Sequence, residues 1–332
     1  MSRMRLTIAQ AEELVQSALQ RCRTSETNAR IVARALVAAE ADGLKGHGLS
    51  RVPSYCAQAL SGKVDGAATP RVESARPSAI RIDACYGFAY PALDVATGRL
   101  PDMARQHGIA AASIYKSHHC GVAGHAVERL TENGLVGLFF ANTPWAIAPS
   151  GGARGLFGTN PIAFACPLPN RPPLVIDLAL SKVARGNILD AKRKGEPIPE
   201  GWALDAAGQP TTDPDAALKG TMVPLGDGKG VALALMVEML AAGLTGANFA
   251  SEATSYFDEK GPPPGTGQLI IGLDPVAFGG PGAVDRFAVL ATAVEAEPGA
   301  HLPGTRRHAA RTRARTEGLE VDASLVATIE AL

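Results

Sequence analysis

Apolar residues recur at helical spacing from the start of the chain. Between Thr7 and Leu19, Ala11, Leu14, Val15 and Ala18 share one side of a 3.6-residue repeat behind a hydroxyl residue able to cap the first turn, so an amphipathic helix is expected. A second helix is expected from Ser25, its N-cap, with Glu26 in the first turn and Ile31, Val32, Ala35, Leu36 and Ala39 in register until Gly43. The segment GHGLSRVPSYCAQALSGKV reads as helical from about Ser50 to Gly62, with Pro53 in the first turn, where its missing N–H costs least. From residue 79 the pattern changes to short β-rich runs, AIRID, LVGLFFAN, PIAFACPL and LVIDLAL, punctuated by Gly and Pro. Asp190 to Asp215 is rich in turn formers and is expected to be a surface excursion rather than core. Residues 230–244, GVALALMVEMLAAGL, are apolar nearly all round and predict a buried helix directly after GDGKG. The last stretch reads as a basic helix, a Gly-Leu break and a short closing helix.

Composition narrows the function class. A chain of 332 residues with 46% apolar residues and a net charge of +0 can bury a large core and has no electrostatic reason to seek nucleic acid or an anionic membrane. Its length suits two lobes. The five cysteines, Cys22, Cys56, Cys85, Cys120 and Cys166, are scattered without zinc or disulfide spacing, a pattern that fits a reducing cytoplasm. No stretch approaches the ~18 uncharged apolar residues of a membrane span, and the start of the chain lacks the features of an export signal.

Several segments could carry chemistry. His47, Arg51 and Tyr55 are spaced i, i+4, i+8 and share a face if helical, which would converge a titratable ring, a carboxylate-gripping guanidinium and a phenol. Spacing alone favours a plainer reading of the same residues, a turn histidine between two glycines and a solvated arginine. Three of the seven histidines, His118, His119 and His125, fall in KSHHCGVAGH, after the strand-like IAAASIY. They suit either metal ligation or a glycine-rich loop where backbone approaches a bound molecule closely. The Gly-x-Gly-x-x-Gly dinucleotide fingerprint is not found between a strand and a helix, which disfavours an ordinary Rossmann domain, and GDGKG lacks the Ser or Thr of a P-loop. Glycines and a lysine before a helix can still present N–H groups and a cation to a phosphate, or simply make a tight turn. Asp177, amid apolar neighbours in LVIDLAL, needs a partner: a histidine, as in triad logic, or a backbone cap.

Together, HGLSRVPSY, SHHCGVAGH, GTNPIAFACP, VIDLALSKVARG, GEPIPEGWALDAAGQPTTDP, GDGKGVALALMVEML and PGTRRHAARTRARTEGLEV occur in an order that resembles the malate/L-lactate dehydrogenase family that lacks a Rossmann fold. The wording of DGLKGHGLSRVPSYCAQALSGKV and HHCGVAGHAVE is most similar to the cyclic-imine reductases of that family. The resemblance implies an α/β protein with a non-Rossmann NAD(P)-binding domain on a largely antiparallel sheet, plus a helical substrate and dimerisation lobe. The expected boundaries are residues 1–100 for the helical lobe, joined by 281–332, and 101–280 for the sheet domain. It also implies a homodimer using NADPH, with NADH possible as an alternative, to reduce a 1-pyrroline-2-carboxylate or 1-piperideine-2-carboxylate to L-proline or L-pipecolate. A malate- or lactate-type 2-hydroxy acid dehydrogenase is the alternative, and a cofactor-binding homologue with impaired catalysis a third.

Residue by residue, the resemblance makes His47 the proton donor, Asp177 the acidic member of a charge relay and His119 the histidine beside the nicotinamide. Arg51 would hold the substrate carboxylate, with Tyr55 on the same face and Thr159 near the substrate. Cys120, Gly121, Val122, Ala123, Gly124, Leu178, Ala179, Leu180, Arg185, Gly186, Gly228, Lys229, Pro303, Gly304, Thr305, Arg306 and Arg307 match positions that contact the dinucleotide; no metal is implied. One departure stands out: the family commonly has Ser immediately before this histidine, and here the residue is Gly46. Ser50, or a water held by Lys45 or Asp177, is expected to stand in for it.

Overall fold

Helices begin where capping side chains and apolar periodicity coincide. In the computed structural model, which describes residues 2–332, strand β1 (Arg3–Leu6) precedes helix α1 (Ile8–Arg21). Thr7 caps α1 through a reciprocal box: its hydroxyl accepts from the Gln10 amide while the Gln10 side chain accepts from the Thr7 amide. Ser25 caps α2 (Glu26–Ala41). Two 3₁₀ turns, Lys45–His47 and Leu49–Arg51, lead into α3 (Val52–Ser61), which ends where Gly62 takes a left-handed conformation at φ 82°. These helices close on one core that includes Val15, Leu19, Val32, Leu36, Leu49, Val52 and Tyr55.

The chain then builds a sheet. β2 (Arg71–Arg76) and β3 (Ala79–Asp83) are followed by α4 (Ala89–His107), β4 (Ile109–Ser117), α5 (Ala123–Thr131), β5 (Val136–Ala141), β6 (Ile162–Leu168) and β7 (Arg171–Leu178). An excursion carries α6 (Arg185–Lys194), β8 (Ala203–Leu204), β9 (Pro210–Thr211), α7 (Pro214–Lys219) and β10 (Thr221–Met222). Helix α8 (Gly228–Glu238) continues into a π-helical turn, Met239–Gly243, before β11 (Thr266–Leu273), α9 (Pro275–Gly279) and α10 (Ala283–Ala296). The chain closes with α11 (Thr305–Glu317), β12 (Leu319–Asp322) and α12 (Ala323–Glu330).

Seven strands pair in the order β2-β3-β4-β11-β5-β6-β7, antiparallel everywhere except between β3 and β4. The largely antiparallel sheet is as expected, and it explains why no parallel dinucleotide fingerprint was needed. Helices α4 and α5 pack on the sheet through Leu100, Val127 and Leu130, against Ile82, Ile114 and Phe139.

Four expectations change. The helical lobe ends before residue 100, because β2 and β3 pair into the sheet and α4 crosses back over it. At the other end α10 packs on β6, through Phe287, Ala291 and Val294 near Leu168, so only α11, β12 and α12 rejoin the helical lobe. Residues 190–215 are not a bare excursion: Ile198 and Ala203 are buried in a small core with Ala217, Met222 and Ala234. The apolar helix after GDGKG is buried on one side only, leaving Leu233, Leu235, Met236 and Met239 exposed, with Leu244 just beyond at 67% exposure. Its uniform apolarity reflects two apolar faces, of which this chain covers one. β1 and β12, absent from the sequence reading, pair antiparallel and join the two ends of the helical lobe.

Candidate active site

The segment carrying His47 and Arg51 is pinned to α2. The Glu40 carboxylate accepts from the Leu49 amide at 3.0 Å, and burial pushes that carboxyl's pKa up. Gly48 lies so close that a side chain there would meet the Glu40 Cα at 3.1 Å and its carboxylate closer still, so glycine is required. Arg51 Nε donates to the Gly46 carbonyl at 2.7 Å, and its guanidinium carbon lies 4.5 Å from the Phe257 ring centre. Arg51 Nη1 and His47 Nδ1 are both shut off from solvent without a hydrogen-bond partner among the described residues. Buried unpaired polar groups of this kind are costly unless a bound molecule satisfies them.

His119 reaches the same place from the sheet. The pairing of β4 with β11 is irregular at Thr266 and Gln268, and Lys116 sits at φ 48° with its ammonium 2.8 Å from Asp83. This kink turns the chain out of the strand just before His118 and His119. The His47 and His119 rings stack with centres 5.3 Å apart and planes 14° from parallel. The Tyr55 hydroxyl is 2.6 Å from His119 Nδ1 and 3.2 Å from the Tyr90 hydroxyl. His118 Nε2 is 2.9 Å from Gln58 Oε1, and Gln58 Nε2 donates to the Tyr256 carbonyl. Burial first, then the nearby Arg51 charge, lowers the His47 pKa to about 4 and holds His119 well below its ordinary value. Both rings are therefore neutral at pH 7.

His47, Arg51, Tyr55 and His119 thus converge, but two expected roles change. Tyr55 is fully buried with its hydroxyl spent on His119 and Tyr90, so it acts through His119 and does not line a substrate pocket. Asp177 accepts from the Gly124 amide at 2.7 Å and hydrogen-bonds no histidine, so of its two readings the structure forms the backbone cap. The stand-ins for the missing serine are engaged elsewhere: Ser50 donates to the Lys45 carbonyl and the Lys45 ammonium donates to the Glu320 carbonyl. The three clustered histidines do not converge on a metal, since His118 faces Gln58, His119 faces Tyr55 and His125 Nε2 meets Asp42 at 2.8 Å.

The expected cofactor segments gather along β7. Gly124 opens α5 beside Asp177 and the Arg307 guanidinium, and Gly304 approaches the Val175 carbonyl, so Cys120–Gly124 and Pro303–Arg307 flank the strand. Just past β7, Leu180 donates to the Thr159 carbonyl and accepts from the Leu225 amide, which brings Thr159, Leu178–Leu180 and the Gly228–Lys229 helix start together. Gly186 and Gly228 have open space where a side chain would be, whereas the buried Arg307 guanidinium is ion-paired, Nε with Asp42 and Nη2 with Glu128, each at 3.4 Å. Bare backbone at the start of α8, with Lys229 in its first turn, fits a polyanionic nucleotide. Arg185 departs from this pattern, because its guanidinium already donates to the Trp145 and Leu218 carbonyls. The sequence reading missed Gln58, which lies in the quoted run around His47 but was not singled out, and Tyr90, Tyr256 and Phe257, which lie in no motif with a local signature.

An arginine with a free buried donor beside two stacked neutral histidines, on a mostly antiparallel sheet, can hold an anion next to a proton-exchanging ring. Residues 6–330 match the malate/L-lactate dehydrogenase family, and the chain belongs to it. It is 52% identical, over 100% of its length and 98% of the relative's, to a (2R)-3-sulfolactate dehydrogenase (NADP(+)) of Chromohalobacter salexigens. It is 42% identical, over 96% of its length and 94% of the relative's, to a Delta(1)-pyrroline-2-carboxylate/Delta(1)-piperideine-2-carboxylate reductase of Pseudomonas putida. The solved delta1-piperideine-2-carboxylate reductase of Pseudomonas syringae superposes with a TM-score of 0.94 at 37% identity, covering 99% of both chains.

Proposed function

We propose that the chain interconverts a small 2-hydroxy acid and its 2-oxo acid with NADP(H). The observation that carries this reading is the pair of unsatisfied buried groups, Arg51 Nη1 and His47 Nδ1, four residues apart on one segment. Arg51, held over the Phe257 ring, grips the carboxylate and so fixes C2. His47, neutral in the resting protein, takes the hydroxyl proton as general base. A carboxylate on Arg51 cancels one of the charges that keep His47 neutral, so the proton it gains is held while substrate is bound. Bound nicotinamide supplies or accepts the hydride. NADP(H) is favoured over NAD(H) by the cofactor in the name of the 52% identical relative.

Reduction of a cyclic 2-imino acid, giving L-proline or L-pipecolate, is the second reading. An imine that arrives protonated needs no acid from a neutral His47, and the likeness to the two reductases supports it. Nicotinamide absorbance with pyruvate, oxaloacetate, 3-sulfopyruvate and both cyclic imines separates the readings. A kcat/KM at least about tenfold higher for one of the oxo acids is expected, equivalent to ~1.4 kcal/mol in the barrier. The reverse order overturns the hydroxy-acid reading in favour of the imine.

The exposed face of α8, Leu233, Leu235, Met236 and Met239, supports a homodimer in which a second copy covers it. Light scattering is expected to give twice the chain mass, and Met236→Lys to lower it. A monomeric wild type refutes the dimer.

A further inference from the structure

The hydroxyl pair behind His119 has a direction. Tyr90, Tyr55 and His119 form a buried line, with 3.2 Å between the two hydroxyls and 2.6 Å from Tyr55 to His119 Nδ1. Two proton arrangements are available. In one, Tyr90 donates to Tyr55, Tyr55 donates to His119 Nδ1, and the neutral ring keeps its hydrogen on Nε2. In the other, His119 Nδ1–H donates to Tyr55, Tyr55 donates to Tyr90, and the Tyr90 proton is left with no acceptor among the described residues. Tyr90 is buried, so the second arrangement strands an O–H donor in the interior, at a cost of about 1–3 kcal/mol. The first uses both phenol donors and leaves only the His119 Nε2–H free, at the end of the line away from Tyr55.

We infer that Tyr90 and Tyr55 are positioning residues that lock His119 as its neutral Nε2–H tautomer, making the ring a fixed hydrogen-bond donor to the oxygen on C2 rather than a proton-transfer group. The inference rests on the oxidoreductase reading for its target and on the hydrogen-bond line for its direction. Nε2 is the nitrogen on the far side of the ring from Tyr55, and it has no protein hydrogen bond among the described residues. With His47 stacked on the same ring, the two histidines divide the work: His47 exchanges the proton and His119 steadies the oxygen as it gains charge. A neutral donor suits an oxygen becoming an alkoxide. It does not suit a substrate nitrogen that already carries a proton, because two N–H groups then face each other. The line thus fixes which nitrogen of His119 faces the substrate.

Neighbouring packing supports the lock. Gly121 lies so close to Tyr90 that a side chain there would meet its hydroxyl at 2.6 Å, so the glycine backbone packs directly on the phenol. His118, the adjacent ring, is oriented by the same logic. Gln58 spends its amide N–H on the Tyr256 carbonyl, so its oxygen must accept from His118 Nε2–H. The two adjacent imidazoles therefore carry the same tautomer, one set by an amide and the other by two phenols.

The test pairs a spectroscopic readout with kinetics. Long-range ¹H–¹⁵N correlation spectra of the full-length wild type, Tyr55→Phe and Tyr90→Phe, with His119→Gln to assign the resonance, report which nitrogen of His119 carries hydrogen. Each Phe keeps the ring in the core, and thermal melts check that the variants fold. The wild type is expected to show Nε2 protonated and Nδ1 bare, and Tyr55→Phe to show a mixture of tautomers. kcat is expected to fall about tenfold in Tyr55→Phe with little change in KM, less than the 10²–10³ lost when such a donor is removed altogether. Tyr90→Phe is expected to lie between. A wild-type ring protonated at Nδ1, or a single unchanged tautomer in Tyr55→Phe, overturns the lock. Because the spectra need no substrate, a protein that turns over no oxo acid but shows the Nε2–H ring refutes the proposed reaction and leaves the lock standing.

Discussion

His118 is the clearest place to weigh the buried imidazoles. It is 1% exposed and bounded by Gln58, Tyr55, Phe88 and Tyr256, and burial, then the Lys63 and Arg51 charges, lower its pKa to about 3. The unfolded chain binds that proton near the ordinary value of ~6.5. Protons are then taken up on unfolding, so the contribution to stability is intact above pH 6.5 and is lost progressively as pH falls toward 3. Between pH 7 and pH 5 the loss from this one ring works out at about 2 kcal/mol, against a total of ~5–15 kcal/mol for a typical protein. The perturbation is His118→Gln, whose amide can still donate to Gln58. Urea unfolding of both proteins at pH 7 and pH 5 gives four free energies. Burial raises the pKa values of Glu40, Asp177 and Glu238, which changes stability in the opposite sense, but these groups are common to both proteins and cancel in the double difference. The wild type is expected to lose about 2 kcal/mol more than the variant over this interval. Equal losses would refute the claim that His118 is buried neutral.

Three further predictions follow the site outward. Arg51→Lys removes the planar fork and its stacking on Phe257, so KM for the acid is expected to rise about 100-fold with a smaller change in kcat, as steady-state kinetics would show; an unchanged KM would place the carboxylate elsewhere. Gly48→Ala is expected to cost about 2 kcal/mol in thermal or urea unfolding, because its methyl meets the Glu40 backbone, whereas Gly46→Ser enters open space and should lie within ~0.5 kcal/mol of wild type; similar values for the two would contradict the packing. In the oxidative direction, kcat/KM reports the free protein, so its acidic limb should fall near pH 4, where His47 gains a proton, and a limb near 6.5 would show an unperturbed ring.

The helices and most strands were legible because each has a local cause. Thr7, Ser25 and Gly62 act where the pattern located them, and AIRID and LVGLFFAN pair as strands. The lobe boundary was not legible, since which sheet β2 and β3 join depends on a partner, β4, found only after α4 crosses over. β1 and β12 are short and gain their pairing from residues more than three hundred positions away. At the site, spacing could align His47, Arg51 and Tyr55, but it could not tell that Tyr55 turns inward to His119 while Arg51 keeps a donor free. Asp177 was rightly read as a carboxylate needing a partner, and the partner is an amide, because α5 begins beside it. Tyr90 and Phe257 come from loops or helix starts with no motif, and only tertiary contact joins them to the histidines.

The pairing of Arg3–Leu6 with Leu319–Asp322 bears on the order in which the molecule is made. The sheet can assemble from residues already emerged, but the lobe that holds His47 and Arg51 also needs α11, β12 and α12 against α1 and α2. A nascent chain therefore carries an assembled sheet with an incomplete His47 and Arg51 lobe until Leu319–Glu330 have left the ribosome, and closure of so distant a contact is expected to be a late, slow step. Stalled chains lacking Leu319–Leu332 should resist protease across the sheet and be cut within the first sixty residues; full protection there would show that the lobe closes without its last strand.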